Sequence, residues 1–372
     1  MTRTRPGAPR LLFFASGFDD PGGCARHGRT LADGFAEAGW DVIVVARAAQ
    51  ACRWKLERRP GWLRIEVPGF GRRWGAALYV LTGLAIGLVR GRRASFMALQ
   101  LSATTLAAGA CALVLRRPFV ALSTSSGPTG EIAGLDSRFR RVHRALLARA
   151  SAVVAQTEAG ATELRARLDG TKVAVVTNPV RALAPLPLSG DAHVLFAGRF
   201  SRIKGADLLL DAWRRIAAER PDARLVMLGT PHEGTGPAED FTAVIRDDPL
   251  LRTSIELPGW VADVIPHYAA ADVFVMPSRM EGLSNALLEA AALGRVIVAS
   301  DLPENRAVLG DAHPLYFPSG DARQLGATLL QAFTDSAARE QAVENATRQS
   351  QRFSTPTTVR ALSGLLNGSV AP

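Results

Sequence analysis

Residues 281–289 read EGLSNALLE, with carboxylates at both ends of a segment where a loop is predicted to become a helix. The preceding residues 271–278 (ADVFVMPS) form a short apolar run closed by proline, which predicts a buried strand. The helix is predicted to stop at Gly294, and residues 295–299 (RVIVA) to form the next strand. This is a strand–loop–helix–strand unit of a parallel sheet. Its loop is expected at the carboxyl ends of the strands, where open α/β folds bind ligands.

The loop itself contains the groups that an oxygen-rich ligand needs. Gly282 allows the backbone to approach a ligand closely, and the amides of Gly282, Leu283 and Ser284 can converge on oxygen atoms near the helix N-terminus. Glu281 and Glu289 have two interpretations at this point: they bind a ligand, or they are solvated residues of an ordinary amphipathic helix.

The length, composition and net charge of the chain predict a two-domain globular protein with anionic partners. The chain has 372 residues, of which 48% are hydrophobic and 21% charged. Its net charge of +10 favours nucleic acid, anionic lipid or phosphorylated small molecules as partners, and nearly all of the positive charge is arginine. The three cysteines lack metal-ligand spacing, which indicates a reducing cytoplasm without a disulfide framework.

Two apolar segments could be mistaken for membrane-directed sequences. The run at 11–15 is too short for the core of a signal peptide. The run at 75–89 falls short of the roughly 17–25 residues of a spanning helix, so it predicts a buried or interfacial helix. We therefore expect a cytoplasmic protein, with peripheral association at the inner face of the cell membrane as an open alternative.

The first half begins with a strand at 11–15, a loop containing Gly22 and Gly23, a helix over 25–38 and a strand at 41–45. A later strand at 118–122 leads into a small-residue loop with Ser125, Ser126 and Gly127. That loop is suited to hydrogen-bonding a sugar or acceptor, or is simply a flexible connection.

A basic amphipathic helix is predicted over residues 136–150. Phe139, Val142 and Leu146 recur at helical spacing, and arginines fill much of the remaining surface. Such a helix can lie on an anionic membrane, or it can dock on its own domain with a solvated face.

The second half follows an Ala/Pro-rich linker at 182–187 and repeats the strand–helix pattern. A strand at 193–198 is followed by a loop with Arg199 and Lys204, and then by a helix over 206–218. Two cations before a helix N-terminus can bind a diphosphate and stabilise it as a leaving group. The guanidinium supplies a planar fork of donors and the ammonium a compact charge.

Together these features resemble the retaining glycosyltransferases of family 4, also known as glycosyl transferases group 1. The motifs that carry the resemblance are Gly198-Arg199, Lys204-Gly205, Ala271-Asp272, Pro277-Ser278, Glu281-Gly282 and Leu288-Glu289-Ala290, with Gly22-Gly23 in the first half. The resemblance implies an α/β GT-B fold, in which two Rossmann-like doubly wound domains face each other across a cleft. We place the N-terminal acceptor-side domain at 1–184, the C-terminal donor domain at 185–352, and a segment that crosses back to the first domain at 353–372.

The resemblance also implies roles for individual residues. Arg199 and Lys204 would bind the diphosphate of a nucleotide sugar and neutralise its developing charge. Glu281, with the amides of Gly282, Leu283 and Ser284, would orient the sugar, and Glu289 would bind the ribose. Further donor contacts are implied for Gly22 and Gly23 at the phosphate, for Gly198 in the diphosphate loop, and for Gly229 and Val261 at the base.

The implied activity is transfer of a hexose-type sugar, with retention, from a UDP- or GDP-linked donor to a lipid-linked or polysaccharide precursor. No further cofactor and no nucleic-acid partner are expected. Because the sequence has no Asp-x-Asp pair, we expect a metal-independent enzyme in which cations replace the metal.

The sequence departs from the family at two positions. Residues 123–127 (STSSG) stand where the family often has a histidine that contacts the donor sugar, and Asn178-Pro179-Val180-Arg181 replaces the usual Asn-Gly-Val-Asp turn. These departures motivate an alternative: a catalytically silent protein on the same scaffold that docks on an anionic membrane or a partner enzyme. A nicotinamide-dependent dehydrogenase is a more distant alternative, since no Gly-x-Gly-x-x-Gly follows any predicted strand.

Overall fold

In the computed structural model, the described residues are 7–16, 18, 23–48, 54–68, 74–124, 131–132, 135, 141–180, 183–230 and 240–368. The chain divides into two compact units, Met1–Pro179 with Ser354–Pro372, and Val180–Phe353. The sequence placed this boundary after residue 184 and began the returning segment at 353. In the structure, the Val180 amide donates to the Phe353 carbonyl at 2.7 Å, and this bond holds both ends of the second unit together.

The first unit is built on an eight-stranded sheet in the order β3-β4-β2-β1-β5-β6-β7-β8. Its strands are β1 (Arg10–Ser16), β2 (Asp41–Arg47), β3 (Lys55–Arg59), β4 (Trp62–Val67), β5 (Ala94–Leu99), β6 (Phe119–Leu122), β7 (Ala152–Ala155) and β8 (Val173–Val175). Its helices are α1 (Gly23–Glu37), α2 (Trp74–Arg90), α3 (Ala103–Leu115), α4 (Arg141–Leu147), α5 (Glu158–Arg165) and α14 (Thr355–Leu366). All neighbouring strands are parallel except β3 and β4.

The second unit has a six-stranded parallel sheet in the order β11-β10-β9-β12-β13-β14. Its strands are β9 (His193–Ala197), β10 (Arg224–Leu228), β11 (Ile255–Gly259), β12 (Val273–Met276), β13 (Val296–Ser300) and β14 (Tyr316–Phe317). Its helices are α6 (Ala206–Glu219), α7 (Phe241–Asp247), α8 (Pro249–Ser254), α9 (Ile265–Ala270), α10 (Asn285–Ala292), α11 (Pro303–Leu309), α12 (Ala322–Thr334) and α13 (Ser336–Ser350). The predicted α/β class with two doubly wound sheets is confirmed.

Buried apolar clusters on both faces of each sheet explain why the continuous apolar runs became central strands. The β9 residues Val194 and Phe196 pack into the cluster of α6, whereas Leu195 packs into the cluster of α10. Parallel strands covered by helices on both faces read as such runs because successive side chains point to opposite apolar layers. These covered strands form the centre of each sheet, and the candidate site lies at the strand ends of the second sheet.

Two departures from the expected elements have simple causes. Strand β3 (KLERR) was not predicted because its side chains are charged and mostly exposed, as befits an antiparallel edge strand. The helix expected over 136–150 is α4, Arg141–Leu147, and residues 136–140 lie outside the described part of the chain. Across the described ranges, none of the helices has the length and apolarity needed to cross a membrane.

Arg295 is a fully buried cation immediately before β13. Its guanidinium donates to backbone carbonyls, with Ala271 at 3.1 Å, Leu293 at 3.2 Å and Pro187 at 3.2 Å, and it also donates to the carbonyl of Leu186. Burial lowers the pKa of this guanidinium, and the nearby Asp272 carboxylate partly opposes that shift. The carbonyl cradle thus fixes the chain entering the second unit to the ends of its helices.

Candidate functional site

The residues predicted to bind the donor follow four neighbouring strands of the second sheet. Val261 comes after β11, Gly229 after β10, Arg199 and Lys204 after β9, and Glu281 after β12. Because all four strands are parallel, their carboxyl ends lie at one edge of the sheet. The structure therefore brings the second-unit candidates together at the edge where α/β sheets bind ligands.

Lys204 and Glu281 form the centre of this edge. The Nζ atom of Lys204 donates to both carboxylate oxygens of Glu281, at 2.6 and 2.7 Å. The Glu281 side chain is only 3% exposed and that of Lys204 25% exposed. Breaking such a pair is expensive because a buried carboxylate would lose its counter-charge. The cation loop and the carboxylate loop are therefore one electrostatic unit.

Gly205 explains why the two loops can approach so closely. Its φ is +71°, and a Cβ at this position would lie 1.9 Å from the carbonyl oxygen of Pro277. Only glycine tolerates both this backbone conformation and this contact. The glycine after Lys204 thus lets the β9 loop rest directly on the backbone that follows β12.

Arg279 joins the same two loops on the outer side. Its amide donates to the Ile203 carbonyl at 2.8 Å, and its guanidinium binds both carboxylate oxygens of Asp207 at 2.7 Å. Bidentate pairing of this kind fixes orientation as well as distance. The sequence interpretation missed Arg279 and Asp207, because no spacing rule connects residues in separate loops.

A chain of hydrogen bonds through Ser278 holds the Glu281 carboxylate in place. The fully buried Ser278 hydroxyl donates to Glu281 Oε1 at 2.6 Å, and its carbonyl accepts from the Ser300 hydroxyl at 2.7 Å. Asn305 then donates to the Ser300 carbonyl at 2.9 Å. The Ser278-x-x-Glu281 spacing was a signal for the first of these bonds, whereas Ser300 and Asn305 left none.

Helix α10 carries the second carboxylate. Ser284 is its N-cap and accepts from the Leu287 amide at 3.4 Å. Glu289 lies one turn further on and is partly buried, with its Oε2 atom inside the protein. Leu283 is buried, whereas Gly282 is exposed and its Cβ position has no described atom within 4 Å. The loop before α10 therefore keeps open space above its glycine.

The remaining donor candidates surround the cation loop. Arg199 is exposed and Val261 partly exposed. Gly229 has a φ of +134°, and a Cβ there would lie 2.0 Å from the carbonyl oxygen of Gly198, so the backbones after β9 and β10 are in contact. Side chains are thereby kept away from the strand ends next to Arg199.

Several first-unit candidates lie outside the described residues. Gly22, Ser125, Ser126 and Gly127 are among them, whereas Gly23 is the first residue of α1. His27 follows on α1 and is fully buried, and neither ring nitrogen has a hydrogen-bond partner among the described residues. Burial lowers the pKa of this imidazole to about 4.

A polar cluster that the sequence did not predict lies at the carboxyl ends of β1, β5 and β6. Glu131 accepts from the Thr124 hydroxyl at 2.6 Å and from the Leu101 amide at 3.0 Å. Gln100 accepts from the Ser16 hydroxyl and has a φ of +76°, a left-handed conformation that is uncommon for residues other than glycine. These hydroxyl, amide and carboxylate groups are well suited to sugar hydroxyls.

Metal-binding groups are absent from the described ranges, where no three His, Cys, Asp or Glu side chains are grouped to hold an ion. At the second-unit edge, two pairs of opposite charge join the loops: the Lys204 ammonium with the Glu281 carboxylate, and the Arg279 guanidinium with the Asp207 carboxylate.

Two protein-family models match the chain. Residues 191–335 match the model for glycosyl transferases group 1, and residues 22–180 match the glycosyl transferase 4-like domain. The chain belongs to glycosyltransferase family 4. The two matched ranges contain every site residue predicted from the sequence, and the first covers both site loops of the second unit.

Curated relatives of this family 4 protein match it over part of its length. It is 31% identical over 185 residues to a D-inositol 3-phosphate glycosyltransferase of Corynebacterium kroppenstedtii, covering 48% of this chain and 40% of the relative. It is 30% identical over 175 residues to the alpha-maltose-1-phosphate synthase of Mycolicibacterium smegmatis, covering 43% and 44%. The matched segments thus span less than half of those relatives.

The fold match covers nearly the whole family 4 chain. HepE of Anabaena, whose structure was solved with UDP, superposes with a TM-score of 0.74 at 18% identity over 96% of this chain and 99% of HepE. The predicted GT-B fold is confirmed.

Proposed function

We propose that this protein is a retaining glycosyltransferase that transfers a hexose-type sugar from a UDP- or GDP-linked donor. The observation that carries the proposal is the Lys204–Glu281 pair at the strand ends, with Arg199 in the same loop as Lys204 and Glu289 on the helix that follows Glu281. These are the groups that a sugar, a diphosphate and a ribose require. The D-inositol 3-phosphate glycosyltransferases among its relatives, and HepE solved with UDP and glucose, support this class of donor.

In the proposed reaction, Arg199 and Lys204 bind the donor diphosphate. The bond between the anomeric carbon and the phosphate oxygen breaks, and the two cations stabilise the negative charge left on the diphosphate. The acceptor hydroxyl forms the new bond on the same face of the sugar, and its proton passes to the departing phosphate oxygen. Two cations in place of a Lewis acid, together with the missing Asp-x-Asp pair, support metal independence.

Glu281 and Glu289 serve as hydroxyl-binding groups in this mechanism. Glu281 is oriented by hydrogen bonds from Lys204 and Ser278, so its oxygens are suited to hydrogen bonds from the donor sugar. The amides of Gly282 to Ser284 lie in the loop that leads to α10. Glu289, on that helix, would bind the ribose hydroxyls.

The proposed acceptor is a lipid-linked or polysaccharide precursor. The Ser16, Gln100, Thr124 and Glu131 cluster provides hydrogen-bonding groups for it in the first unit. The Ser125 to Gly127 loop remains a candidate on sequence grounds alone.

The test uses purified protein and a panel of UDP- and GDP-linked hexoses. Donor binding raises the thermal midpoint by mass action, and proton NMR of the product from the stabilising donor reads the anomeric configuration. An α-linked product from an α-linked donor supports retention. Inversion overturns the proposed mechanism. Tight donor binding without transfer to any lipid or saccharide acceptor would instead indicate the silent binding protein.

Metal independence has its own measurement. Turnover is expected to be unchanged after dialysis against EDTA, and restoration of lost turnover by Mg²⁺ or Mn²⁺ would contradict it.

A further inference from the structure

Helix α2 exposes apolar side chains. Its seventeen residues contain no acidic residue, and arginine occurs only at the last position. Leu81 and Val89 are 66% and 76% exposed, and Leu88 is also exposed. A surface helix normally places polar residues on its outer face, whereas this one does not. Contiguous exposed apolar area of this kind marks an interaction site.

Helix α3 extends the apolar surface. A Cβ at Gly87 would lie 2.3 Å from the Cys111 sulfur, and one at Gly91 would lie 3.2 Å from the Leu115 side chain. The two helices therefore run parallel in register, and their C-terminal ends are adjacent. Leu113 and Val114 at the end of α3 are 51% and 67% exposed. We call Leu81, Leu88, Val89, Leu113 and Val114 the α2–α3 surface.

Four exposed arginines border this surface. Arg90 is the last residue of α2, Arg92 and Arg93 follow that helix, and Arg116 follows α3. Among the described residues, none of the four forms an ion pair. We call these residues the arginine rim. By contrast, arginines of the second unit such as Arg306 are paired with carboxylates.

The positive charge of the chain is concentrated in the unit that carries the α2–α3 surface. Of the 44 Lys and Arg residues, 27 lie in the first unit, which contains 12 of the 34 Asp and Glu residues. The first unit thus has a formal net charge of +15, and the second unit has −5. No Asp or Glu occurs between Glu66 and Glu131, the interval that contains both helices and the arginine rim.

We propose that the α2–α3 surface binds an anionic lipid bilayer. Its apolar side chains enter the interface between headgroups and acyl chains, and the arginine rim binds lipid phosphates. The argument for a membrane over a protein partner is charge complementarity. An apolar centre bordered by arginines that form no ion pair with the described residues matches the acyl and phosphate layers of an anionic leaflet. The proposal concerns surfaces of the first unit alone and does not depend on the proposed transfer reaction.

The experiment is flotation of the full-length protein with vesicles. Equimolar phosphatidylcholine and phosphatidylglycerol vesicles are compared with pure phosphatidylcholine at low and high salt. We expect binding to the anionic vesicles that weakens as salt screens the rim. Replacing Arg90, Arg92 and Arg93 together by Gln is expected to weaken binding on the order of a hundredfold, and the Val89→Ser, Val114→Ser variant about tenfold.

A matched control removes three cations elsewhere in the same unit. Arg58, Lys172 and Arg360 are exposed, and their joint replacement by Gln lowers the net charge equally. This control is expected to change binding less than about threefold, since screening confines the effect to nearby charges. Equal losses in both triple variants would overturn the assigned surface. Absence of flotation with anionic vesicles would overturn the proposal of membrane binding and indicate that a protein partner covers the α2–α3 surface. If the unmodified protein floats with anionic vesicles but turns over no donor, that result contradicts only the proposed function.

Discussion

Lys204 Nζ lies 2.6 and 2.7 Å from the two carboxylate oxygens of Glu281, although the two residues are 77 positions apart in the sequence. The pair joins the loops that follow the adjacent parallel strands β9 and β12. It preorganises the site, because the ammonium and the carboxylate already neutralise each other before a ligand arrives. A donor must therefore share these groups rather than assemble them.

Removing the ammonium should destabilise the fold more than neutralising both partners. Lys204→Met leaves a buried carboxylate unpaired and is expected to cost about 3 kcal/mol of unfolding free energy. The Lys204→Met, Glu281→Gln variant keeps an acceptor for Ser278 and should regain most of that loss while remaining inactive. Urea unfolding and donor turnover measure the two effects. Equal stability of the single and double variants would show that the pair is not coupled.

Arg199 is expected to contribute to binding and little to folding, because its side chain is exposed. Arg199→Ala should weaken nucleotide-diphosphate affinity about tenfold or more, as expected for a lost charge-assisted hydrogen bond. Calorimetry with UDP and GDP is the measurement. Arg323→Ala, at an exposed position of α12 in the same unit, is the matched control and should bind as the unmodified protein does. Equal affinities in both variants would remove Arg199 from the site.

Glu289 can be tested through the ribose. Glu289→Gln should lower affinity for a ribonucleotide sugar about tenfold, since the charged acceptor is lost. With the matching 2′,3′-dideoxy donor, the variant and the unmodified protein should bind alike. A double-variant cycle over protein and donor isolates the contact. If the variant weakens both donors equally, Glu289 does not bind the ribose.

Gln100 gives a first-unit prediction. Its φ of +76° favours glycine, so Gln100→Gly is expected to keep the unfolding free energy within about 1 kcal/mol. The variant loses the amide that binds Ser16, and the acceptor KM should rise with little change in the donor KM. Steady-state kinetics with each substrate varied is the measurement. A raised donor KM alone would contradict the acceptor role.

His27 predicts a loss of stability in acid. Burial lowers the pKa of the folded imidazole to about 4, below its ordinary value of 6.5, so the unfolded chain binds more protons between these values. Stability is therefore complete above pH 6.5 and declines as the pH falls towards 4, by about 3 kcal/mol for this residue. Urea unfolding across this range should show a shallower decline in His27→Leu. Replacement of the partly buried His267 by Gln is the control and should leave the decline unchanged. If the stability of His27→Leu declines as steeply as that of the unmodified protein, His27 is not the cause.

The sequence predicted the apolar strands and the loops after them because buried parallel strands leave continuous apolar runs. It could not predict that Lys204 pairs with Glu281, since helical and strand periodicity do not say which side chains meet across separate loops. The same limit hid the binding of Thr124 and Leu101 by Glu131. Strand β3 was missed because Lys55 to Arg59 lack an apolar pattern.

The carbonyl cradle of Arg295 has a consequence for dividing the chain into fragments. The match to the group 1 glycosyl transferases begins at residue 191, after Leu186 and Pro187, which supply two of the cradle's acceptors. A fragment cut at 191 would leave a buried guanidinium short of acceptors, whereas one that begins at Val180 and ends at Phe353 keeps the cradle and the hydrogen bond between its own ends. The boundary of an autonomous second unit is thus set by a buried arginine. A fragment cut at the limits of sequence similarity would be destabilised by the acceptors that this arginine loses.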